Sequence, residues 1–309
     1  MPSKYSVKLK TLVAEHELKP LHTSADYDTR VLTLAEVNRP ALQLAGFYNY
    51  FDPKRLQIIG RVESTYLELK TEAERRQSFE ELMKYNISAL VLCHGAAAFP
   101  ECLEMAEKYD CNVFTTSQDT SDFMANVISS LHTHLAPRTT VHGVLVEVHG
   151  EGVLLTGDSG IGKSETALEL IKRGHRLIAD DSVIIKNIND QLIGKSPEKI
   201  RYYMEIRGIG IINIQRMFGP GAVRPDKGVD IIAELSQWEQ GKTYDRIGIN
   251  EQYDEVLGIN VQKVVIPVTP GRNIPIVLET AARKFRLKQE GYDPASDLMQ
   301  SVFGSADGD

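Results

Sequence analysis

The sequence has 309 residues, enough for about two domains with packed cores. Hydrophobic residues make up 42% and charged residues 25%, a globular balance that excludes fibrous, low-complexity and disordered chains. A net charge of -7 argues against a sequence-independent grip on nucleic acid, so no nucleic-acid partner is expected and a basic protein partner suits the surface better.

In chain order, the opening MPSKYSVKLKTLV lacks the apolar centre of a signal peptide, and nowhere do 18 apolar residues run together. The expectation is a cytoplasmic protein with no membrane segment. Asn38-Arg39-Pro40 reads as a structural stop. Leu56–Ile59, residues 89–93 and Val113–Thr115 read as strands, with a helical pattern over Pro100–Lys108. This alternation predicts a small α/β domain with a largely parallel sheet, of role not legible from the residues. Cys93, Cys102 and Cys111 form an odd set without a CxxC pair, so buried, reduced thiols are expected rather than disulfides or a zinc site. Cys93 and His94 do not make a nucleophile and base, because neighbours on a strand point to opposite faces. Thr120 and Ser121 offer an N-cap for a helix whose stripe is Phe123, Met124, Val127, Ile128 and Leu131. Residues 132–140 contain Pro137 and little periodicity, which places a boundary between domains 1–132 and 133–309.

The second domain opens with alternating Val144, Val146 and Val148, a turn at Gly150-Glu151-Gly152, and a strand through Val153, Leu154 and Leu155. That strand runs into GDSGIGKS, in which Gly157, Asp158, Ser159, Gly160, Ile161, Gly162, Lys163 and Ser164 satisfy the GxxxxGK[ST] pattern. The helical spacing of Ala167, Leu168, Leu170 and Ile171 follows. Strand, glycine-rich turn and helix are the context this motif needs: backbone N–H groups and the helix start cradle phosphates. Lys163 is expected to reach the β- and γ-phosphates, and Ser164 to ligate Mg²⁺. His142 precedes the hairpin; an isolated histidine is more often a surface or packing residue than a catalytic one.

After Gly174, which closes the helix, RLIADDSVII reads as a buried strand interrupted by Asp180 and Asp181. Two carboxylates in an apolar run call for a cation or a proton nearby: one can hold Mg²⁺ and the other take a proton from an attacking hydroxyl. MEIRGIGIIN at 204–213 carries Glu205 and Arg207 before an apolar run, and suits a functional loop and a structural bulge equally. FGPGAVRPDK at 218–227 reads as a mobile loop. WEQGKTYDRIG places Lys242, Asp245 and Arg246 beside a turn, PVTPGR at 267–272 is another turn, and 276–287 reads as an amphipathic helix before a loose acidic tail.

GDSGIGKSETALELIKRGHRLIADD, MEIRGIGIIN, WEQGKTYDRIG and PVTPGRN, preceded by HGVLVEVHGEGVLLTG, resemble bacterial HPr kinase/phosphorylase in order and spacing, with no departure at a motif position. The resemblance covers the second domain almost completely. It implies an α/β protein with a P-loop kinase domain related to phosphoenolpyruvate carboxykinase, behind a small α/β domain similar to one of the Mur ligases. The implied enzyme uses ATP or pyrophosphate to phosphorylate a serine of the phosphocarrier protein HPr. It removes that phosphate by phosphorolysis, inorganic phosphate leaving as pyrophosphate, and so regulates carbon catabolite repression. By the same resemblance, Gly157 to Ser164 hold the nucleotide, Ser164 and Glu205 bind Mg²⁺, and His142, Lys163, Asp181 and Arg246 are catalytic. Stretches 204–213 and 267–272 are functional loops, and the assembly is a homohexamer. The loop and carboxylates alone would also permit a small-molecule kinase or a nucleotide-dependent regulatory switch.

Overall fold

A computed structural model describes residues 4–238 and 251–303, and the chain divides into two compact units, 1–137 and 138–309. The first unit opens with β1 (Val7–Lys8), α1 (Leu9–Glu15), β2 (Lys19–His22), β3 (Val31–Leu32) and β4 (Val37–Asn38). It continues through α2 (Ala41–Leu44), β5 (Leu56–Ile59), α3 (Arg61–Glu68), α4 (Glu72–Met83), β6 (Leu90–Leu92), α5 (Pro100–Lys108), β7 (Val113–Thr115) and α6 (Thr120–Leu135). Five strands form a sheet in the order β2-β7-β6-β5-β4, parallel except for β2. Because side chains alternate across a strand, Ile58, Val91 and Phe114 pack with Leu12, Phe123 and Val127 on one face. Ile59, Leu92 and Val113 pack with Phe79, Leu82 and Met105 on the other. The result is a three-layer α/β/α unit. Cys93, Cys102 and Cys111 are free and buried within it, and burial pushes the Cys93 thiol up to about 11.

Helix α6 begins one residue from the expected cap: Asp119 is its N-cap, and its carboxylate lies 2.8 Å from His94 Nδ1. The helix also continues to Leu135, through a stretch whose weak periodicity suggested a linker. Leu131 and Leu135 still reach the core there, so tertiary packing carries the helix past the point where the pattern fades.

The second unit contains β8 (Arg138–His142), β9 (Val144–Val148), β10 (Glu151–Gly157), α7 (Lys163–Lys172), β11 (Arg176–Ala179), β12 (Ser182–Ile188) and β13 (Gln191–Lys195). There follow β14 (Tyr203–Ile206), β15 (Gly210–Asn213), α8 (Ile214–Phe218), β16 (Asp226–Gly228), β17 (Ile231–Gln237), β18 (Gln252–Val256), β19 (Ile259–Val268), α9 (Ile274–Gln289) and α10 (Pro294–Phe303). A six-stranded mixed sheet runs β11-β9-β10-β17-β19-β18, and a four-stranded antiparallel sheet runs β16-β13-β12-β8. Val144, Val146, Val153 and Leu155 face α7 and α9. Leu145 and Leu154 face the second sheet, where they meet Val183, Ile185 and Leu192. Burial on both faces makes β9 wholly buried. Glu147 within it is compensated by Arg224 at 2.6 Å and Arg176 at 3.5 Å.

Two loop expectations change here. Residues 218–227 are not an open loop, because Ala222 and Val223 join the core beneath α7. Residues 294–303 of the expected loose tail form α10. Among the described residues, no helix is long and apolar enough to cross a membrane.

Candidate active site

Strand β10 delivers the chain to Gly157, where φ is 125° and a Cβ would lie 2.2 Å from the Leu235 carbonyl oxygen on the parallel neighbour β17. Only glycine meets both conditions. At Gly160, with φ of 82°, a Cβ would strike the Arg207 guanidinium, so that cation lies directly against the loop. The loop ends at Gly162, left-handed at φ 100°, and α7 starts at Lys163. Lys163 is 7% exposed, and its Nζ donates to the carbonyl oxygens of Gly157 and Asp158, both at 2.8 Å. The loop thus holds its own ammonium at the floor of the cradle.

The two aspartates do not share a strand. Strand β11 ends at Ala179 in the six-stranded sheet and β12 starts at Ser182 in the four-stranded one, so Asp180 and Asp181 form the crossing between sheets. The Ser182 N–H donates to the Asp180 carbonyl at 2.7 Å across Asp181, whose φ is +66°. This three-residue turn with positive φ at its centre is the strained form, which aspartate tolerates better than most residues.

The crossing sends the carboxylates to different places. Asp180 is 5% exposed: its Oδ1 accepts from Ser164 Oγ at 2.9 Å, and its Oδ2 accepts from the Glu205 N–H at 3.2 Å. Burial pushes the Asp180 carboxyl above its usual range, and these two hydrogen bonds oppose that shift only in part. Asp181 lies at the rim with its side chain exposed. His142, ending β8 directly opposite Ser182, brings Nδ1 to 3.0 Å from both Asp181 Oδ1 and the Asp181 carbonyl oxygen. The histidine that looked unremarkable in sequence is therefore fixed on the second acid.

His142, Lys163, Ser164, Asp180, Asp181 and Glu205 line one cleft of about 180 Å³, together with Arg207. A larger cavity of about 660 Å³, lined by Gln191, Lys227, Asn260 and Gln262, contains none of these groups. Glu205 comes from the β14–β15 hairpin, whose turn carries Arg207 and Gly208, so 204–213 is a hairpin with its loop toward the cleft. The 267–272 stretch ends β19 in a turn closed by the Arg272 N–H on the Thr269 carbonyl at 3.1 Å. Pro270 and Gly271 sit at its centre, the pair a type II turn favours. Arg246 lies outside the described residues, as do Lys242 and Asp245. Sequence reasoning gave Asp180 only a share in an acid pair, one member for Mg²⁺ and the other for a proton, and left Arg207 in an ambiguous loop. Asp180's signal was its place directly after the buried run Leu177, Ile178 and Ala179.

A family model described as HPr Serine kinase C-terminal domain matches residues 133–302, and one described as HPr Serine kinase N terminus matches residues 7–131. The HPr kinase/phosphorylase of Caldicellulosiruptor bescii is 45% identical over 292 residues, 94% of this chain and 94% of that one. That of Peptoclostridium acidaminophilum is 44% identical over 297 residues, 96% of each chain. Among solved structures, the Hpr(Ser) kinase/phosphatase from Coxiella burnetii is 40% identical with a TM-score of 0.48, covering 52% of this chain and 98% of that one. Two α/β units and relatives of this kind define a phosphotransferase of the kinase class. Within that class, the chain belongs to the HPr serine kinase family.

Proposed function

We propose that this enzyme phosphorylates a serine of the phosphocarrier protein HPr from ATP or pyrophosphate, and reverses the modification by phosphorolysis. In the reverse direction the bond from phosphorus to the serine oxygen breaks, and a new one forms to inorganic phosphate, giving pyrophosphate and the serine hydroxyl. The balance of the two activities regulates carbon catabolite repression and sugar uptake, as in the family. The observation that carries this reading is the convergence of a glycine-rich loop, its buried lysine and two differently housed carboxylates in one cleft.

Phosphoryl transfer depends on positioning and charge neutralisation more than on covalent chemistry. Residues Gly157 to Ser164 offer backbone N–H groups to the phosphates, and Lys163 spreads its charge over the β- and γ-oxygens. Mg²⁺ fits the oxygen donors beside the loop: the Ser164 hydroxyl, the Glu205 carboxylate and Asp180. Asp180 is buried against a hydroxyl and a peptide N–H, both neutral, so a hard cation there would offset a costly charge. When bound, the ion would neutralise charge on the transferring phosphate.

Asp181 is the group for the proton. Its exposed carboxylate takes the proton from the HPr serine in one direction and returns it to the serine oxygen in the other. His142 holds it in place, and Arg246 anchors the additional anion that phosphorolysis requires. The chemistry is assigned to the domain from residue 133 onward, as a P-loop kinase fold related to phosphoenolpyruvate carboxykinase. Residues 1–132 form the small domain similar to one of the Mur ligases. The working form is a cytoplasmic homohexamer.

The test is incubation with purified HPr, Mg²⁺ and either ATP or pyrophosphate, followed by mass mapping of HPr and then addition of phosphate. One phosphate on one HPr serine, released as pyrophosphate when phosphate is added, is the expected result. Phosphate on a small metabolite, or slow nucleotide hydrolysis alone, would overturn the reading.

A further inference from the structure

Away from the cleft, His149, His175 and Glu279 bring one ligand atom each to within 4.8 Å of one another. They come from three separate elements: the β9–β10 turn, the connection from α7 to β11, and helix α9. We propose that these three residues form a second metal site, selective for a borderline divalent ion of the Zn²⁺ type.

Two imidazoles and one carboxylate, with a fourth position for water, form a donor set that Zn²⁺ accepts and that Mg²⁺, which demands oxygen, does not. His175 Nε2 donates to Glu279 Oε1 at 3.0 Å, a proton that a bound ion would displace, and Arg173 Nη1 donates to the other carboxylate oxygen at 3.1 Å. The arginine therefore orients the carboxylate from behind, the outer-sphere support that metal ligands need. His175 is 8% exposed, and the His149 ring stands edge-on to it with centroids 4.8 Å apart. In a tetrahedral site with bonds near 2.1 Å, ligand atoms lie about 3.4 Å apart, so the widest gap must close by about 1.4 Å. Rotation of the partly exposed His149 side chain can supply that movement.

His149 stands in a tight hairpin turn. The paired residues Val148 and Glu151 enclose a two-residue turn with φ of 51° at His149 and 89° at Gly150. Such turns favour Asn-Gly or Asp-Gly, and histidine is also enriched at positive φ, so asparagine is the substitution that suits this backbone. Arg173, Arg283 and Arg286 are cations around the cluster and temper its affinity. A bound ion would fasten the carboxyl end of α7, the helix that begins at the phosphate loop, to α9 and to the hairpin.

The experiment uses the full chain, stripped with a chelator and titrated with Zn²⁺ against a chromogenic competitor. Excess Mg²⁺ is present to occupy the oxygen-rich cleft. The expected result is one Zn²⁺ per chain, a raised melting temperature, and a tetrahedral visible spectrum when Co²⁺ replaces it. His149→Asn suits the turn, so it should melt no lower than the parent without metal, yet lose at least about tenfold in Zn²⁺ affinity. Glu279→Gln should weaken binding similarly. Zn²⁺ that leaves the parent's melting unchanged would overturn the proposal. So would binding that survives in His149→Asn and disappears in Glu205→Gln, which would assign the ion to the cleft.

Discussion

Replacing Asp180 with asparagine should stabilise the metal-free protein at neutral pH and abolish its stabilisation by Mg²⁺. The buried carboxylate accepts two hydrogen bonds from neutral donors, and burial is the largest influence on it, pushing its carboxyl upward. Asparagine can occupy the same space: its oxygen accepts from the Glu205 N–H, and its amide donates to Ser164 Oγ, since a hydroxyl accepts as readily as it donates. Exchanging two charge-assisted bonds for neutral ones costs about 1 kcal/mol each, whereas a poorly compensated buried charge costs several kcal/mol. The upward direction of the shift says that the second effect is larger. A net gain of about 1 kcal/mol or more is expected, roughly 2–4 °C in melting temperature for a unit of this size.

The pH dependence follows the same sign. The folded state holds the Asp180 proton more tightly than the unfolded state, whose carboxyl titrates near 3.8. Its contribution is most favourable below that value and is lost as pH rises through the folded pKa. Urea denaturation of chelator-treated parent and Asp180→Asn at pH 4 and pH 7, with and without Mg²⁺, measures the effect. The mutant should be more stable at pH 7, its advantage should shrink toward pH 4, and Mg²⁺ should raise the midpoint of the parent alone. A mutant less stable than the parent at pH 7 would refute the reasoning, because the carboxylate would then be net stabilising without metal.

Lys163→Ala should abolish phosphorylation and phosphorolysis together while leaving the circular dichroism of the fold unchanged, since its described contacts are two carbonyls of its own loop; activity with either donor would remove the lysine from the mechanism. Asp181→Asn should lower initial rates in both directions by about 10² to 10⁴ with nucleotide affinity preserved, and sparing one direction would rule out a shared acid-base role. Its stability should stay within about 0.5 kcal/mol, because the side chain is exposed and asparagine tolerates the positive φ. Glu205→Gln should shift the Mg²⁺ requirement upward, because only the side chain changes and the hydrogen bond from its backbone N–H to Asp180 remains; superimposable metal titrations would make Glu205 structural.

What was legible in the sequence was local. The strand, glycine-rich loop and helix at 153–172 could be read because strand, glycines, lysine and helix are contiguous, and β7 and α5 could be read because their periods are complete within a few residues. The crossing at Asp180 and Asp181 could not, since RLIADDSVII is one apolar run until the partners of each half are known: β9 for the first and β8 with β13 for the second. The opposite fates of the two acids depend on that distant pairing. Residues 218–227 were misleading for a related reason, because glycines and prolines advertise a loop while Ala222 and Val223 are held by a core assembled from elsewhere. His142 gave no local signal; its significance comes from standing opposite Ser182 in another strand. The site roles themselves rested on family resemblance, which the residue spacing alone could not have supplied.

The placement of the groups proposed to react on two different sheets has a mechanical consequence. The glycine-rich loop is an extension of the six-stranded sheet, while Asp181 and His142 are anchored at the margin of the four-stranded one. On the proposed roles, the distance between donor phosphate and proton acceptor is gauged by the apolar seam where Leu145 and Leu154 meet Val183 and Ile185, together with the hydrogen bond from Ser164 to Asp180 in the cleft. Since a displacement of about 1 Å can cost about 10²-fold in rate, the seam acts as a spacer whose thickness evolution can adjust one methyl group at a time. Changes in buried aliphatic residues far from the chemistry would then tune how fast the enzyme turns over without altering a single charged group.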